Sequence, residues 1–411
     1  MTDIYMYMYW ALPVLCVLFY FAVGRERVDG EIEYTTTQWI TMLFGTGMAT
    51  GLIYWSLPET AYHLQSNPLG ASSVVDAAAI TWYHWTYNAW MMYTAFAVVV
   101  YKFMKTAPPL AQRVTFIVLA ISALFGVLVD TGLAIFQLPD GYEYFNAMLL
   151  IAAAGASYFS GVKYGILRIS QLALALAVLF IAILWYVFPE SFVLAFVGTG
   201  ISYINLVVDG GVSTMYQDTT WTESWTSFYS AWWFLWVAFV GVFIIRISKG
   251  RTLRDIIVVA TLVPATLTAF WMSSFAALGQ YYLGADAIAA DPDNSIYLLM
   301  DTMFGGASAM SMFMKGVAVI LMYAFMLTSI DSGFYASEKM IGAKTFHHRM
   351  MMVSGFALSV LVVTYVGNVS LIQEFALGTA VFAVFTVLFM TLYVLVGMLD
   401  DWTNKIKDEI R

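Results

Sequence analysis

One stretch decides the fold of this chain: WTESWTSFYSAWWFLWVAFVGVFIIRISKGRTLR, which runs from Trp221 to Arg254. About twenty uncharged, mostly apolar residues precede a basic cluster, as in a membrane-spanning helix that ends at the cytoplasmic face. At about 100° per residue, four aromatic side chains share one arc of this helix. They are Tyr229, Trp232, Trp233 and Trp236. Indole faces attract cations, so this arc is a candidate cation-binding surface.

Tryptophans in membrane proteins more often form interfacial belts or pack between helices. Two features of this cluster favour a binding role. It begins about ten residues inside the predicted span, which is deeper than a belt, and it holds three indoles within five positions. A quaternary ammonium group has no N–H to donate, so an aromatic cage is the natural way to hold it.

The composition predicts an all-α polytopic membrane protein. Of the 411 residues, 61% are hydrophobic and 11% are charged, whereas an average soluble domain has about 25% charged residues. A single cysteine, Cys16, excludes an internal disulfide, and the net charge of −8 argues against nucleic acid as a partner.

Apolar runs of about twenty residues predict about eleven transmembrane helices. The predicted spans are 5–23, 38–55, 76–101, 112–138, 143–160, 166–187, 222–245, 256–280, 313–333, 347–367 and 371–398. The first run lacks the basic start and the cleavage site of a signal peptide, so it is predicted to be a retained helix.

The basic residues predict the orientation of these spans. Seventeen of the eighteen Lys and Arg residues lie in alternate loops on one side, which the positive-inside rule assigns to the cytoplasm. The exception, Lys315, lies near the outer end of span nine, where its side chain can snorkel. The prediction is an integral protein of the plasma (inner) membrane with its N-terminus outside and its C-terminus in the cytoplasm.

This orientation also predicts an internal repeat. Spans two to six and spans seven to eleven form two five-helix groups of opposite orientation, the layout of inverted-repeat secondary transporters. The predicted domains are an N-terminal extra helix with its cytoplasmic loop (1–37), the first repeat (38–187), an outer interfacial helix or loop (188–221), the second repeat (222–398) and a short cytoplasmic tail (399–411).

The first helix of each repeat is the expected place for a substrate site near mid-membrane. Span two contains Gly45, Gly47 and Gly51 in the sequence MLFGTGMATGLIYW. Glycine allows a helix to unwind and expose carbonyl groups to an ion, but the Gly47–Gly51 spacing fits close helix packing equally well.

A second aromatic surface is predicted in span three, in the sequence ITWYHWTYNAWMMY. Trp85, Trp90 and Tyr93 share one face of that helix. The neighbouring His84 is interpreted as a hydrogen-bonded packing residue, because no second His or Cys is near it in sequence. Glu59, at the end of span two, is interpreted as the cap of a short helix in preference to part of an outer vestibule.

Two further groups of polar residues lie inside predicted spans. Asp130 in span four is far from any basic residue; it is interpreted as a coupling residue, with wetting at the outer end of the span as the alternative. Thr328 and Ser329 in span nine could bind an alkali cation, although bonding to their own helix is the stronger interpretation. No His/Asp/Glu group with metal spacing is recognised, so no enzyme is expected.

Together these motifs resemble the betaine/choline/carnitine transporter family. AWWFLW is similar to that family's tryptophan box and RISKGRTLR to its basic cytoplasmic exit. GTGMATGLIYWSLPETAYH resembles the family's glycine helix, HWTYNAWMMY its aromatic helix and TSIDS its sodium-site helix.

The resemblance implies Na⁺-coupled or exchange transport of a trimethylammonium or similar betaine-like zwitterion, often by a homotrimer. Alternating access is the expected mechanism, with import as the direction and no cofactor beyond Na⁺. It implies a substrate cage lined by Trp85, Trp90, Tyr93, Trp232, Trp233 and Trp236. It implies a sodium site formed by Gly45, Met48, Phe325, Thr328 and Ser329. Phe239 falls where a second ion site touches the tryptophan helix, and Asp130 lies in a helix that contributes to ion coupling.

Several departures from the family pattern leave alternatives open. The usual helix before span one and the long terminal tails are absent from the sequence, which argues against osmotic activation. Asp130 stands where a small polar residue is expected, which favours either proton coupling or a stronger sodium site. An ion-independent exchanger and a non-transporting sensor on the same fold are the competing functions.

Overall fold

The computed structural model describes residues 2–47, 50–138, 141–342, 345–367 and 369–410. Over these ranges the regular secondary structure is helical and no strand forms; an isolated β-bridge joins Arg27 to Thr252. The prediction of an all-α protein is confirmed.

The first half of the chain forms nine helices among the described residues. They are α1 (Thr2–Ala22), α2 (Thr36–Thr46), α3 (Gly51–Tyr54), α4 (Pro58–Gln65), α5 (Val74–Trp85), α6 (Tyr87–Thr106), α7 (Pro109–Gln137), α8 (Glu143–Ser160) and α9 (Ile166–Val187).

The second half begins with α10 (Pro189–Val208), α11 (Gly211–Gln217), α12 (Thr219–Thr222) and a π-helical turn (Glu223–Ser227). It continues with α13 (Phe228–Ile247), α14 (Leu253–Tyr282), α15 (Ala285–Ala290), α16 (Ser295–Phe304), α17 (Ala309–Ile341), α18 (Phe346–Val366) and α19 (Val369–Ile410).

Eight helices in the described ranges are long and apolar enough to cross a membrane, and they correspond to predicted spans one, four and six to eleven. The other predicted spans differ from simple helices. Span two ends as α2 at Thr46 and resumes as α3 at Gly51, which agrees with the expected interruption. Span three is interrupted at Thr86, between α5 and α6, and the sequence did not predict that break. Span five is the 18-residue helix α8.

Helix α13 lies at the centre of the molecule. The apolar window of its span, within Thr219–Ile247, is buried entirely by neighbouring helices. A helix that is hydrophobic on all sides requires this position, because it has no polar face for solvent. The fourth and ninth predicted spans pack on each other as α7 and α17, and the third and eighth pack on each other as α6 and α14. These pairings fit a five-plus-five repeat, and the exact domain boundaries stay a prediction.

The segment 188–221 is helical, as expected. Helix α10 packs against α5 and α14, and its later part makes an angle of 69° with α11. The opposite side of α10 exposes an apolar stripe at intervals of three to four residues: Val197, Ile201, Ile204 and Val208. Such a face is suited to lipid or to a second copy of the chain, and its interfacial location stays a prediction.

Lys315 forms an ion pair near the start of α17. Its Nζ lies 2.7 Å from Oδ1 of Asp301 on α16. The Lys315 ammonium and the Ser311 hydroxyl, which also bonds to this carboxylate, hold the pKa of Asp301 below its usual value. The one basic residue outside the predicted cytoplasmic loops is therefore neutralised by a neighbouring acid.

Candidate functional site

The six side chains predicted to line a cage are all buried and form one connected aromatic cluster, hereafter the aromatic cage: Trp85, Trp90, Tyr93, Trp232, Trp233 and Trp236. The ring centroid of Trp233 lies 5.1 Å from that of Trp85 and 6.1 Å from that of Tyr93. Trp85 also contacts Trp232, at 5.9 Å, and Trp236 lies 6.2 Å from Trp233. Rings from α5, α6 and α13 therefore meet in the protein interior.

Two glycines of span two, Gly47 and Gly51, make room for these rings. A Cβ added at Gly47 would overlap the indole of Trp90, whose centroid lies 5.5 Å from that of Tyr93. A Cβ at Gly51 would lie 2.7 Å from Cη2 of Trp85. Because both glycines face indoles across the α2–α3 interruption, they bring the backbone close to the cage, which is a common role for glycine. Both glycines thus pack closely against rings of the cage, and the exposure of carbonyl groups to an ion stays a prediction.

Several polar atoms of the aromatic cage are buried and have no hydrogen-bond partner among the described residues. They are Nε1 of Trp232, Nε1 of Trp236 and the hydroxyl of Tyr93. A buried donor without an acceptor costs about 1–3 kcal/mol, so such atoms are expected where a polar ligand group binds. A ligand that combines an onium group with an acceptor such as a carboxylate matches this set of aromatic faces and free donors.

A buried carboxylate adjoins the aromatic cage. Oε2 of Glu59 accepts hydrogen bonds from Nε1 of Trp85 at 2.5 Å and from the hydroxyl of Tyr229 at 2.6 Å. Oε1 lies 2.7 Å from Nδ1 of His84 and 3.4 Å from Nε2 of His63. Glu59 is fully buried, and Leu57 is the N-cap of α4. The interpretation of Glu59 as a helix cap is therefore wrong: its carboxylate binds side chains of two other helices, α5 and α13, and His63 of its own helix.

His84 is the hydrogen-bonded residue that its sequence context suggested. Its Nε2 lies 3.1 Å from Oγ1 of Thr226 in the π-helical turn, and its backbone carbonyl accepts a bond of 2.8 Å from Nε1 of Trp233. A π-helical turn holds one more residue than an α-helical turn, which changes the direction of the side chains around it. Such turns are frequent at functional sites. Here the turn directs Thr226 towards His84 and places Trp225 4.6 Å from the ring of His63.

Glu59, His63 and His84 together form a cluster that sequence reasoning missed. One ligand atom from each lies within 4.8 Å of the others, a geometry that could hold a metal ion. Glu59 and His63 are four residues apart on one face of α4, which was a readable signal. His84 follows 21 residues after His63 on another helix, and only the tertiary fold brings it to the carboxylate.

The residues proposed for a sodium site also meet. Oγ1 of Thr328 lies 2.7 Å from the carbonyl oxygen of Gly45 on α2 and 2.8 Å from that of Phe325 on its own helix. Oγ of Ser329 lies 3.2 Å from the same Phe325 oxygen. Both hydroxyls thus bond to a carbonyl of their own helix, α17, which was the stronger interpretation of the sequence. The Thr328 hydroxyl also contacts the Gly45 carbonyl in span two. Met48 lies outside the described residues.

Asp130 is almost completely buried on α7. Neither of its carboxylate oxygens has a hydrogen-bond partner in the described part of the chain. The alternative that this carboxylate is wetted at the end of its span is wrong, because surrounding helices cover it. Phe239, assigned to the second ion site, is fully buried, and its ring centroid lies 5.4 Å from that of Trp236.

An open cavity of about 230 Å³ adjoins the aromatic cage on the side of the predicted outer loops. Its aromatic lining comprises Trp55, Tyr62, Trp225, Phe228 and Tyr229. Tyr229 also contacts Trp85 of the cage at 5.4 Å, so one ring separates the cavity from the cage.

The fold and the site define a polytopic, all-helical membrane protein with an aromatic cage and clustered hard oxygen atoms at its core. The chain belongs to the betaine/carnitine/choline family of transporters, whose sequence model matches residues 3–143 and 115–403. The family resemblance carried by the glycine, aromatic and tryptophan motifs is thereby confirmed.

Relatives named as transporters are a little over a quarter identical to this chain within the aligned part. A glycine betaine/proline/choline/ectoine transporter of Vibrio parahaemolyticus is 28% identical over 77% of this chain and 64% of its own length. A glycine betaine transporter of Acinetobacter baylyi is 28% identical over 73% of this chain and 51% of its own length. The chain thus spans between half and two thirds of these two relatives. A solved Na⁺-coupled sialic acid symporter aligns with a TM-score of 0.47 and 10% identity, over 96% of this chain and 82% of its own.

Proposed function

We propose that this protein is a secondary transporter, and not an enzyme, that imports a quaternary ammonium zwitterion of the betaine class across the plasma membrane. The observation that carries the proposal is the meeting of six aromatic rings from α5, α6 and α13 beside the interrupted helix α2–α3. Each desolvated cation–π contact is worth about 0.5–2 kcal/mol, so several together offset the lost hydration of an onium group. The names of the relatives support the same substrate class.

Sodium is the proposed coupling ion. The carbonyl oxygens of Gly45 and Phe325 and the hydroxyls of Thr328 and Ser329 are hard oxygen ligands of the kind that alkali cations prefer. An ion that is coordinated by both α2 and α17 binds only to the conformation of the protein in which these two helices are close together. Binding therefore shifts the conformational equilibrium and couples the ion to the substrate.

Transport then follows an alternating-access cycle. Substrate reaches the aromatic cage through the cavity beside Tyr229, with the N-terminus outside and the C-terminus in the cytoplasm as the positive-inside rule predicts. The two five-helix repeats rock against each other around the bound substrate. The exposed stripe of α10 is the proposed contact in a homotrimer.

The test is uptake by proteoliposomes with and without an inward Na⁺ gradient, for betaine, choline, carnitine and a sulfonium analogue. Accumulation of one onium compound driven by Na⁺ is the expected result. Uptake that requires only a related onium compound on the other side would identify an ion-independent exchanger. Binding without any flux would identify a sensor and contradict the proposed function.

The double substitution Thr328→Ala and Ser329→Ala is expected to abolish Na⁺-stimulated uptake, because it removes the hydroxyl ligands while leaving the carbonyl groups. The measurement is initial uptake rate against Na⁺ concentration. Thr379→Ala is the matched control, since among the described residues the Thr379 hydroxyl bonds to carbonyl groups of its own helix, α19: that of Phe375 at 2.8 Å and, more weakly, that of Ala376. An unchanged Na⁺ dependence in the double variant would refute the sodium site.

Asp130→Asn tests the role of the buried carboxylate. We expect the Na⁺ concentration for half-maximal uptake to rise roughly tenfold, because a neutral amide attracts a cation less, while betaine affinity at saturating Na⁺ stays within about threefold. Asp400→Asn, an exposed position on α19, is the control. If Na⁺ dependence is unchanged and the pH dependence of uptake disappears, Asp130 carries a proton instead.

A further inference from the structure

The carboxylate of Glu59 lies directly behind the aromatic cage and is chemically linked to it. Its Oε2 accepts the N–H of Trp85 and the O–H of Tyr229. The indole nitrogen can only donate, so this oxygen is an acceptor and the carboxyl does not carry its proton there. Hydrogen bonds to an ionised acceptor are short and strong, as the distances of 2.5 Å and 2.6 Å indicate.

The two donor rings connect Glu59 to the tryptophans of α13. The centroid of Trp85 lies 5.1 Å from that of Trp233, and the centroid of Tyr229 lies 6.1 Å from that of Trp232. The carboxylate therefore contacts the cage directly at Trp85, and one layer of aromatic rings separates it from the tryptophans of α13. No Lys or Arg among the described residues pairs with Glu59; its ion-pair partners are the imidazoles of His63 and His84.

The short contacts among Glu59, His63 and His84 are better explained by hydrogen bonds between the carboxylate and the imidazoles than by a metal ion. Two ligands of a tetrahedral ion with bonds of about 2.1 Å lie roughly 3.4 Å apart. Nδ1 of His84 lies only 2.7 Å from Oε1 of Glu59, which is a hydrogen-bond distance. The other nitrogen of His84 faces the hydroxyl of Thr226, so every described polar contact of this imidazole is accounted for by hydrogen bonding.

We propose that Glu59 gives the aromatic cage its preference for a permanent positive charge over an uncharged group of the same shape. A ring face attracts a cation through its negative quadrupole, and donation of the ring N–H or O–H to an anion makes that face more negative. The carboxylate itself adds a negative potential in a medium of low dielectric constant, where charges are poorly screened. Glu59 is thus a positioning residue that acts through Trp85 and Tyr229. This inference rests on the proposed function, because it concerns the same site.

The test compares glycine betaine with 3,3-dimethylbutanoate, which has the same shape and carboxylate but carbon in place of the charged nitrogen. Affinities of the purified full-length chain are measured by quenching of tryptophan fluorescence. For Glu59→Gln we expect betaine affinity to fall roughly tenfold and affinity for the carbon isostere, an anion that lacks the onium charge, to change less than about threefold. Glu374→Gln, an exposed acid on α19, is expected to leave both affinities unchanged.

A purely structural role for Glu59 would lower both affinities by the same factor, and that result would overturn the inference. Glu59→Asp, which keeps the charge, covers the case in which the glutamine variant does not fold: it must retain the wild-type ratio of betaine to isostere affinity. Stoichiometric Zn²⁺ binding that shifts this ratio and disappears in His63→Ala would show a metal site and contradict the inference. Failure of the proposed function is distinguishable, because then the wild-type chain binds neither compound.

Discussion

Replacement of Trp233 by leucine is expected to abolish betaine uptake. This indole has more ring contacts than any other member of the aromatic cage: its neighbours are Trp85, Tyr93, Tyr229, Trp232 and Trp236. It also donates its N–H to the backbone carbonyl of His84 at 2.8 Å, which fixes the ring orientation. Leucine retains apolar volume but removes both the negative face and the hydrogen bond, so the onium group loses a central contact and the rings around it lose their alignment.

The measurement is uptake of radiolabelled betaine by proteoliposomes, together with betaine binding by the purified protein. Trp402→Leu is the control, because Trp402 lies on α19 with 63% of its side chain exposed. Normal insertion and thermal stability of the Trp233 variant must accompany the loss. If uptake and affinity match those of the wild type, the aromatic cage is not the substrate site.

The second large effect is expected for Gly47→Ala. The added methyl group would overlap the indole of Trp90, so either that ring rotates out of the cage or α2 moves away from α6. Both changes disturb the cage and also displace Gly45, the proposed sodium ligand on the same helix. We therefore expect betaine affinity to fall by about a hundredfold, with a weaker Na⁺ response in the uptake that remains.

Gly355→Ala and Gly378→Ala are the matched controls, because a Cβ at either position meets no atom within 4 Å. Alanine is the better helix former by about 1 kcal/mol, so these variants should be as stable as the wild type or slightly more stable. Binding isotherms and thermal melts of all three variants check the prediction. Wild-type affinity in the Gly47 variant would mean that this glycine serves the helix interruption alone and not the cage.

The features that could be predicted from the sequence are those that depend on residues close together in the chain. The length of an apolar run sets the length of a span, and the predicted helix over 166–187 agrees with α9, Ile166–Val187. The 100° step of an α-helix placed Trp232, Trp233 and Trp236 on one arc of α13, and all three contribute to the aromatic cage. Family motifs then added the ion-site residues, of which Gly45 and Thr328 lie in contact.

The features that were missed depend on how helices pack. Glu59 was interpreted as a cap because its sequence neighbourhood, after a proline at the start of a short helix, fits a cap; its actual partners come from α5 and α13. The interruption at Thr86 has no proline or glycine to signal it. Asp130 was open to two interpretations because its depth in the bundle is not a local property, and only the packed structure shows that its carboxylate is covered.

The complete enclosure of α13 also constrains how the protein assembles. Helices on both sides of it in the chain bury it, with α6 and α7 synthesised before it and α17 and α19 after it. A nascent chain that ends between α13 and α17 leaves part of the α13 surface facing lipid acyl chains, which such an apolar helix tolerates. All six rings of the aromatic cage are present once α13 has been synthesised, but α13 becomes fully enclosed only when the last two fifths of the chain have been inserted.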